Sequence, residues 1–457
     1  MKEPIIYLSL LSVLLLSACS FIATANENNA KKSAPSHFKV SMETEVEQFE
    51  GYQLTIHYPQ TPDSQINQTI IDYVNQKKAS FKKQSFQTSV KQNNHEIHEL
   101  NINFEVLYEN ASVFVVRFSE KLHMEKQKEV TQTIMNFDKE NGKRLELDQI
   151  FQKDKEYYDL LSSQVQTEVL EKARVDDADL TAKIKAELSP KADLYKNTAL
   201  TGDSLTVYFN QGQLPKQVSI QKVKLNDKKL MNLVKEKYLQ QGEPAEKSKE
   251  VAAKEEQPLN EDVKAEYRSE ADKKIALTFN DGPHPKVTRR ILGTLKSYHA
   301  KATFFMIGQR VKYYPEIARE VAEQGNQIGN HTWDHSRADY LTSKELKKEL
   351  EKTQRIIQQT TGQTPTVVRY PFGGVPAEKQ DDQLRRAPFT ITVDDWQLEN
   401  SEVIAKEVIA KAKDHSVIML HDLYPSTADA VEQIVRTLTK KGYSFVTLDE
   451  LQNRRVK

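Results

Sequence analysis

From residue 258 to the C-terminus, short apolar runs alternate with amphipathic stretches, and the polar residues gather where the apolar runs end. Residues 275–279 are apolar, too few for a helix, and stopped by Asn280-Asp281-Gly282-Pro283, which predicts a buried strand and a turn. The same reading predicts a helix over 287–298, a strand over 302–307, a helix over 317–324 closed by Gly325, and a strand over 327–331 that delivers His331 at its end. A long amphipathic helix follows at 344–361, then strands at 367–373, 389–393 and 416–421. Strand and helix in alternation predict an α/β domain, a distorted (β/α) barrel with its polar residues at one rim.

Residues 38–241 have a different rhythm. Residues 52–58 alternate and stop at Pro59, as a strand would, and Ile66, Ile70, Tyr73 and Val74 then recur at helical spacing. Residues 104–108 and 113–118 predict a hairpin around 109–112, and Asn141-Gly142 a turn between strands at 135–138 and 145–147. A helix over 157–173 and a strand over 204–209 complete an α+β accessory region of one or two subdomains. His95 and His98 lie close together without an apolar frame and read as a solvated loop. Residues 242–257 lose nearly all bulky apolar side chains, which predicts a linker and a domain boundary.

The N-terminus changes the picture again. Residues 5–16 are apolar but too few to span a bilayer, and small residues lead into Cys19, which predicts a signal peptide over 1–19 with a tether over 20–37. Leu16-Ser17-Ala18-Cys19 resembles a bacterial lipobox, so Cys19 is the expected lipidation site and the protein is expected outside the cell, held at the membrane and facing the wall. Cys19 is the sole cysteine of the 457 residues, which excludes an intramolecular disulfide. The formal net charge of zero gives a nucleic-acid partner no electrostatic support.

The candidate chemistry lies in the C-terminal half. Asp281 precedes by about fifty residues the pair His331 and His335, two imidazoles four residues apart. One carboxylate and two imidazoles suit a hydrolytic divalent metal with a position left open. Thr278-Phe279-Asn280-Asp281-Gly282-Pro283, His331-Thr332-Trp333-Asp334-His335, Arg369-Tyr370-Pro371-Phe372-Gly373, Asp395-Trp396 and Met419-Leu420-His421 resemble, in order, the five motifs of NodB-type polysaccharide deacetylases, carbohydrate esterase family 4. The resemblance implies a metal held by Asp281, His331 and His335, zinc first and cobalt or manganese next. It implies His421 as general acid, oriented by Asp395, and a pocket walled by Trp396, Met419, Tyr370 and Phe372. The segment after Gly373 is shorter than the family's spacing, which leaves Asp394 and Asp395 as alternatives.

Family members carry Asp-Asp where this chain has Asn280-Asp281. The first is the general base, paired with the arginine that corresponds to Arg369, and an amide cannot accept a proton at neutral pH. Asp334 and Asp394 are the nearby carboxylates that could substitute. The layout resembles peptidoglycan N-acetylglucosamine deacetylases, and residues 40–225 resemble the extracytoplasmic domain shared by PdaC-type deacetylases and RsiV-type anti-sigma factors. Together these imply a wall glycan, peptidoglycan or another N-acetylated polymer, as substrate, with lysozyme tolerance as the consequence and a wall protein as a further partner. The alternative is an inactive metal- and glycan-binding wall protein or sensor.

Overall fold

The computed structural model describes residues 38–92, 97–124, 127–152, 157–174, 176–239, 273–375, 379 and 383–452. The predicted signal peptide with Cys19, the tether, the linker and His95 lie outside the described residues.

Strands β1 (Ser41–Gln48) and β2 (Tyr52–Gln60) form an antiparallel hairpin whose tip, Phe49-Glu50-Gly51, is closed by Phe49 N donating to Tyr52 O at 2.8 Å. After the helix Ser64–Gln92, β3 (His98–Glu109) returns parallel to β2; β4 (Val113–Met124), β5 (Gln127–Asp138) and β6 (Arg144–Leu145) then add in sequence, antiparallel, to make six strands. Two expectations fail here. Pro59 does not stop β2 but pairs with Met42, because β3 pairs with β2 only as far as Ile56 and the missing N–H of proline is tolerated beyond that point. His98 is not in a solvated loop: it is buried in β3 with Nδ1 at 2.8 Å from Ser85 Oγ. A second, three-stranded antiparallel sheet, β7 (Thr198–Leu200), β8 (Leu205–Tyr208) and β9 (Lys222–Leu225), shares a core with the helix Tyr157–Ala173 and with Val113 and Val115 of β4.

The C-terminal half is built on a parallel sheet: β10 (Lys273–Asn280), β11 (Ala302–Met306), β12 (Gln327–Asn330), β13 (Val367–Val368), β14 (Arg385–Arg386), β15 (Ile391–Thr392), β16 (Val417–His421) and β17 (Tyr443–Phe445). The spatial order is β14-β13-β12-β11-β10-β16-β15, with β17 against the start of β10, a curled sheet that does not close. Ile275 to Phe279 are all buried, as a strand covered on both faces requires. Helix Ser343–Thr361 shows how local sequence sets its ends: Thr342 caps it with Glu345 in a reciprocal box, and Gly362 stops it at φ 75°. The predicted strands at 367–373 and 389–393 shrink to β13 and β15, since the chain beyond Val368 bends into the cleft and Phe372 takes φ 56°. β14, charged and two residues long, carried no hydrophobic signal.

The six-stranded sheet packs directly on the segment that carries the two histidines. Asn101 Nδ2 donates to Asp334 O at 2.9 Å, Arg337 N to Glu99 Oε1 at 2.9 Å, and Arg337 Nη1 to Gln53 Oε1 at 3.0 Å. Tyr314 OH donates to Met42 O at 2.6 Å and accepts from Met42 N at 3.0 Å. Lys121 Nζ reaches Asp334 Oδ2 at 2.7 Å. Burial alone would raise the Asp334 carboxyl, but the Lys121 charge and its hydrogen bonds hold it well below the usual range.

Lys121→Met should therefore lower stability at neutral pH by roughly 1–3 kcal/mol, the lower end reflecting solvent at the lysine tip. Because a depressed carboxylate stabilises only while ionised, the deficit should shrink as pH falls through the range where Asp334 takes a proton. Urea unfolding of the full chain at two pH values measures both.

Candidate active site

Asp281 lies one residue past the end of β10, buried, with its backbone in the left-handed region at φ 74°. The following position is tight: a Cβ on Gly282 would stand 2.1 Å from Asp422 Oδ2, so a larger residue would have to displace that buried carboxylate. His331 follows β12, and Thr332 and His335 also take positive φ, 65° and 59°. This winding turns both rings inward. His331 Nε2 is 2.9 Å and His335 Nε2 3.1 Å from the same oxygen, Asp281 Oδ1. Their other nitrogens are committed elsewhere, His331 Nδ1 to Arg369 O at 2.6 Å and His335 Nδ1 to Thr55 Oγ1 at 2.9 Å. Burial lowers the His331 imidazole despite the carboxylate, whereas Asp281, which burial would raise, is held well below its usual range by the imidazoles. Imidazoles with Nδ1 engaged and Nε2 converging on an ionised carboxylate are the donor set a divalent metal takes, so the residues fit one.

Asn280 ends β10, level with Phe305 on one side and His421 on the other. Its Oδ1 accepts from Arg369 Nη1 at 3.0 Å; arginine has only donors, so this bond fixes the amide and leaves NH2 as its remaining polar group. Arg369 also donates to Thr278 Oγ1 at 2.7 Å and Pro388 O at 3.0 Å, and its guanidinium lies 4.2 Å from the Phe305 ring centre. Its Nε has no partner, and no carboxylate pairs with it among the described residues. Burial pulls the group down to about 9.

Across the cleft, His421 Nδ1 is 2.8 Å from Asp395 Oδ1, while Asp395 Oδ2 accepts from His421 N and from Thr427 Oγ1, each at 2.8 Å. Burial would lower this imidazole, but the Asp395 carboxylate outweighs it and, with Asp281, raises the group to about 9. It is Asp395, buried, that bonds His421; Asp394 stands exposed at the cavity wall.

A cavity of about 610 Å³ joins these parts, lined by Asn280, Asp281, His331, His335, Arg369 and His421 and walled by Tyr370, Phe372, Trp396 and Met419. The catalytic, metal and pocket residues named from the sequence are therefore gathered here, with Asp395 set behind His421; Cys19 lies outside the described residues. Asp334 is not among them: its carboxylate turns away to Lys121, Asn103 and Ser336, so the expectation that it could act as a base is wrong. Sequence reasoning missed Tyr424, which lines the cavity, Thr427, which holds Asp395, and Asp422, buried beneath Gly282. Their nearness to His421 in the chain was the available signal. It also missed Val46, Gln48, Phe49, Glu50 and Ile97, which line the same cavity from the N-terminal sheet, and for which the sequence offered no signal.

Residues 267–391 match the family model described as polysaccharide deacetylase. The chain is similar to the peptidoglycan-N-acetylmuramic acid deacetylase PdaC of Bacillus subtilis, 28% identical over 430 residues that cover 93% of this chain and 90% of the relative. It is also similar to a peptidoglycan-N-acetylglucosamine deacetylase of Bacillus cereus, 32% identical over 42% of this chain and 75% of that protein. Among solved structures, that of Bacillus subtilis PdaC is 41% identical over 40% of this chain and 90% of the other, with a TM-score of 0.39.

Proposed function

We propose that this chain, which belongs to the polysaccharide deacetylase family, removes acetyl groups from the amino sugars of cell-wall peptidoglycan. The observation that carries the reading is one cavity with two chemically distinct sides: the Asp281–His331–His335 cluster and the His421–Asp395 pair. Asp281, His331 and His335 would hold the divalent ion, zinc first. When bound, that ion supplies Lewis acidity toward the amide carbonyl and makes water nucleophilic near neutral pH.

The rest falls to the chain. In this reading water gives a proton to the Asp394 carboxylate as it adds to the acetamide carbonyl carbon, the C–N bond breaks as the departing amine takes a proton from His421, and the acetic acid formed loses its proton to solvent, leaving acetate and a free amino sugar. Asp395 keeps His421 protonated and aimed, and Thr427 holds Asp395 in turn. Trp396, Met419 and Tyr370 wall the space for the acetyl group. Relatives are named for both N-acetylglucosamine and N-acetylmuramic acid, and both are candidates; the free amines left behind would make the wall a poorer lysozyme substrate. The apolar run at residues 5–16 and Cys19 support placement outside the cell on a lipid anchor.

Asn280 supports a second reading. The amide presents a donor where proton transfer from water needs an acceptor, and Arg369 has no carboxylate partner among the described residues, so the site binds metal and glycan without turnover. Acetate release from N-acetylglucosamine oligomers and from peptidoglycan separates the two. Asn280→Asp should raise the rate by about 10²–10⁴ if the missing base limits turnover. If the natural protein runs within about tenfold of the variant, another group, such as the Asp394 carboxylate on the cavity wall, takes the proton. Chelator should abolish both rates. Metal binding with silence from both proteins would overturn the substrate assignment.

The His421 imidazole should titrate near pH 9 in the chelator-treated full chain. Because the Asp395 charge raises it, Asp395→Asn should bring the titration down toward the ordinary histidine range, and the general acid should then lose its proton at lower pH. Histidine NMR titration reads the shift; an unmoved midpoint would remove Asp395 from this role.

A further inference from the structure

We propose that the β1–β2 hairpin of the accessory sheet is a glycan subsite, with Phe49 as the platform on which a sugar neighbouring the reacting one rests. This rests on the proposed function, because it takes the occupant of the cavity to be a chain of sugars. The cavity that contains Asp281, His331, His335 and His421 is also lined by Val46, Gln48, Phe49, Glu50 and Ile97. Phe49 is half exposed at that wall, with the Lys82 ammonium 6.0 Å from its ring centre.

The tip is built to stay where it is. Phe49 N is bonded to Tyr52 O at 2.8 Å and His98 N to Gly51 O at 3.1 Å, while the Phe49 and Tyr52 rings lie 5.1 Å apart. Behind it, Glu47 bridges Lys78 and Lys82 of the helix Ser64–Gln92 at 2.7 and 2.6 Å. A rigid aromatic face flanked by Gln48 and Glu50 presents what a pyranose ring uses: an apolar surface for its C–H face, and hydrogen-bonding groups at the edge for its hydroxyls. A wall polymer in the cleft would thus be gripped by both halves of the chain, and the accessory sheet would set the length of glycan the site prefers.

The test compares full-length protein with Phe49→Ala and Phe49→Trp, using a long N-acetylglucosamine oligomer, soluble peptidoglycan strands and the free monosaccharide. Phe49→Ala should weaken calorimetric binding of the long glycans by about fivefold to tenfold, and Phe49→Trp should restore it. The ratio of kcat/KM for long over short substrates should fall by a similar factor. Unchanged long-glycan binding in Phe49→Ala, or no glycan binding by the natural protein, would overturn the subsite. Phe49-dependent binding without acetate release would sustain it while removing the deacetylase reading.

A separate observation assigns Thr55 of β2 as a positioning residue for His335. Its hydroxyl is buried, 2.9 Å from His335 Nδ1, and occupies the outer nitrogen of a candidate metal ligand from the other half of the chain. A partner of this kind fixes ring orientation and tautomer, and its loss costs about 10–100-fold in metal affinity. Zinc affinity of full-length Thr55→Val, measured against a competing chelator, should fall within that range, and Thr55→Ser should restore it. Affinity within about threefold of the natural protein in Thr55→Val would overturn the assignment, whatever the melting temperature of the metal-free proteins does.

Discussion

The parallel register of β10 with its neighbours is the constraint on which the site depends. Asn280 stands level with Phe305 and His421, Met306 with Asn330, and Asn330 with Val368. Strands that finish in step release their next residues into one space, so a carboxylate, two imidazoles, a guanidinium and an acid–base pair meet although they come from segments up to about 140 residues apart. Side chains alone would not have met; the ladder does the gathering, and the left-handed turns that follow it do the aiming.

The second organising contact is between the two halves. The loop carrying His335 makes its bonds outward to Thr55, Asn101, Asn103 and Lys121, all on the six-stranded sheet. That makes the sheet a wall and support of the cleft. Without it, Asp334 and His335 would be left with open hydrogen-bonding positions.

What could be read from the sequence divides along physical lines. The strands of the parallel sheet announced themselves because burial on both faces leaves unbroken apolar runs, as at 275–279, and the motif residues stood at their ends. β13 and β15 were overextended because the apolar residues after Val368 serve the cleft and not a ladder. Asp334 was misjudged since its neighbour His335 faces inward, and one residue along a left-handed turn reverses direction. Thr55 and Phe49 were invisible for a simpler reason: their meaning lies in contacts with residues hundreds of positions away, and no periodicity encodes that.

Asp281, Thr332, His335 and Phe372, none of them glycine, hold left-handed backbone around the cleft. Each costs roughly 1–2 kcal/mol relative to an ordinary conformation, borne because packing and hydrogen bonds over-determine the loops. Glycine at Thr332 or Phe372 would relax that cost and free the neighbouring ring to wander. Selection of this protein for heat resistance alone would therefore enrich changes that unmake its aim, and an engineer would have to select for melting and ligand grip together.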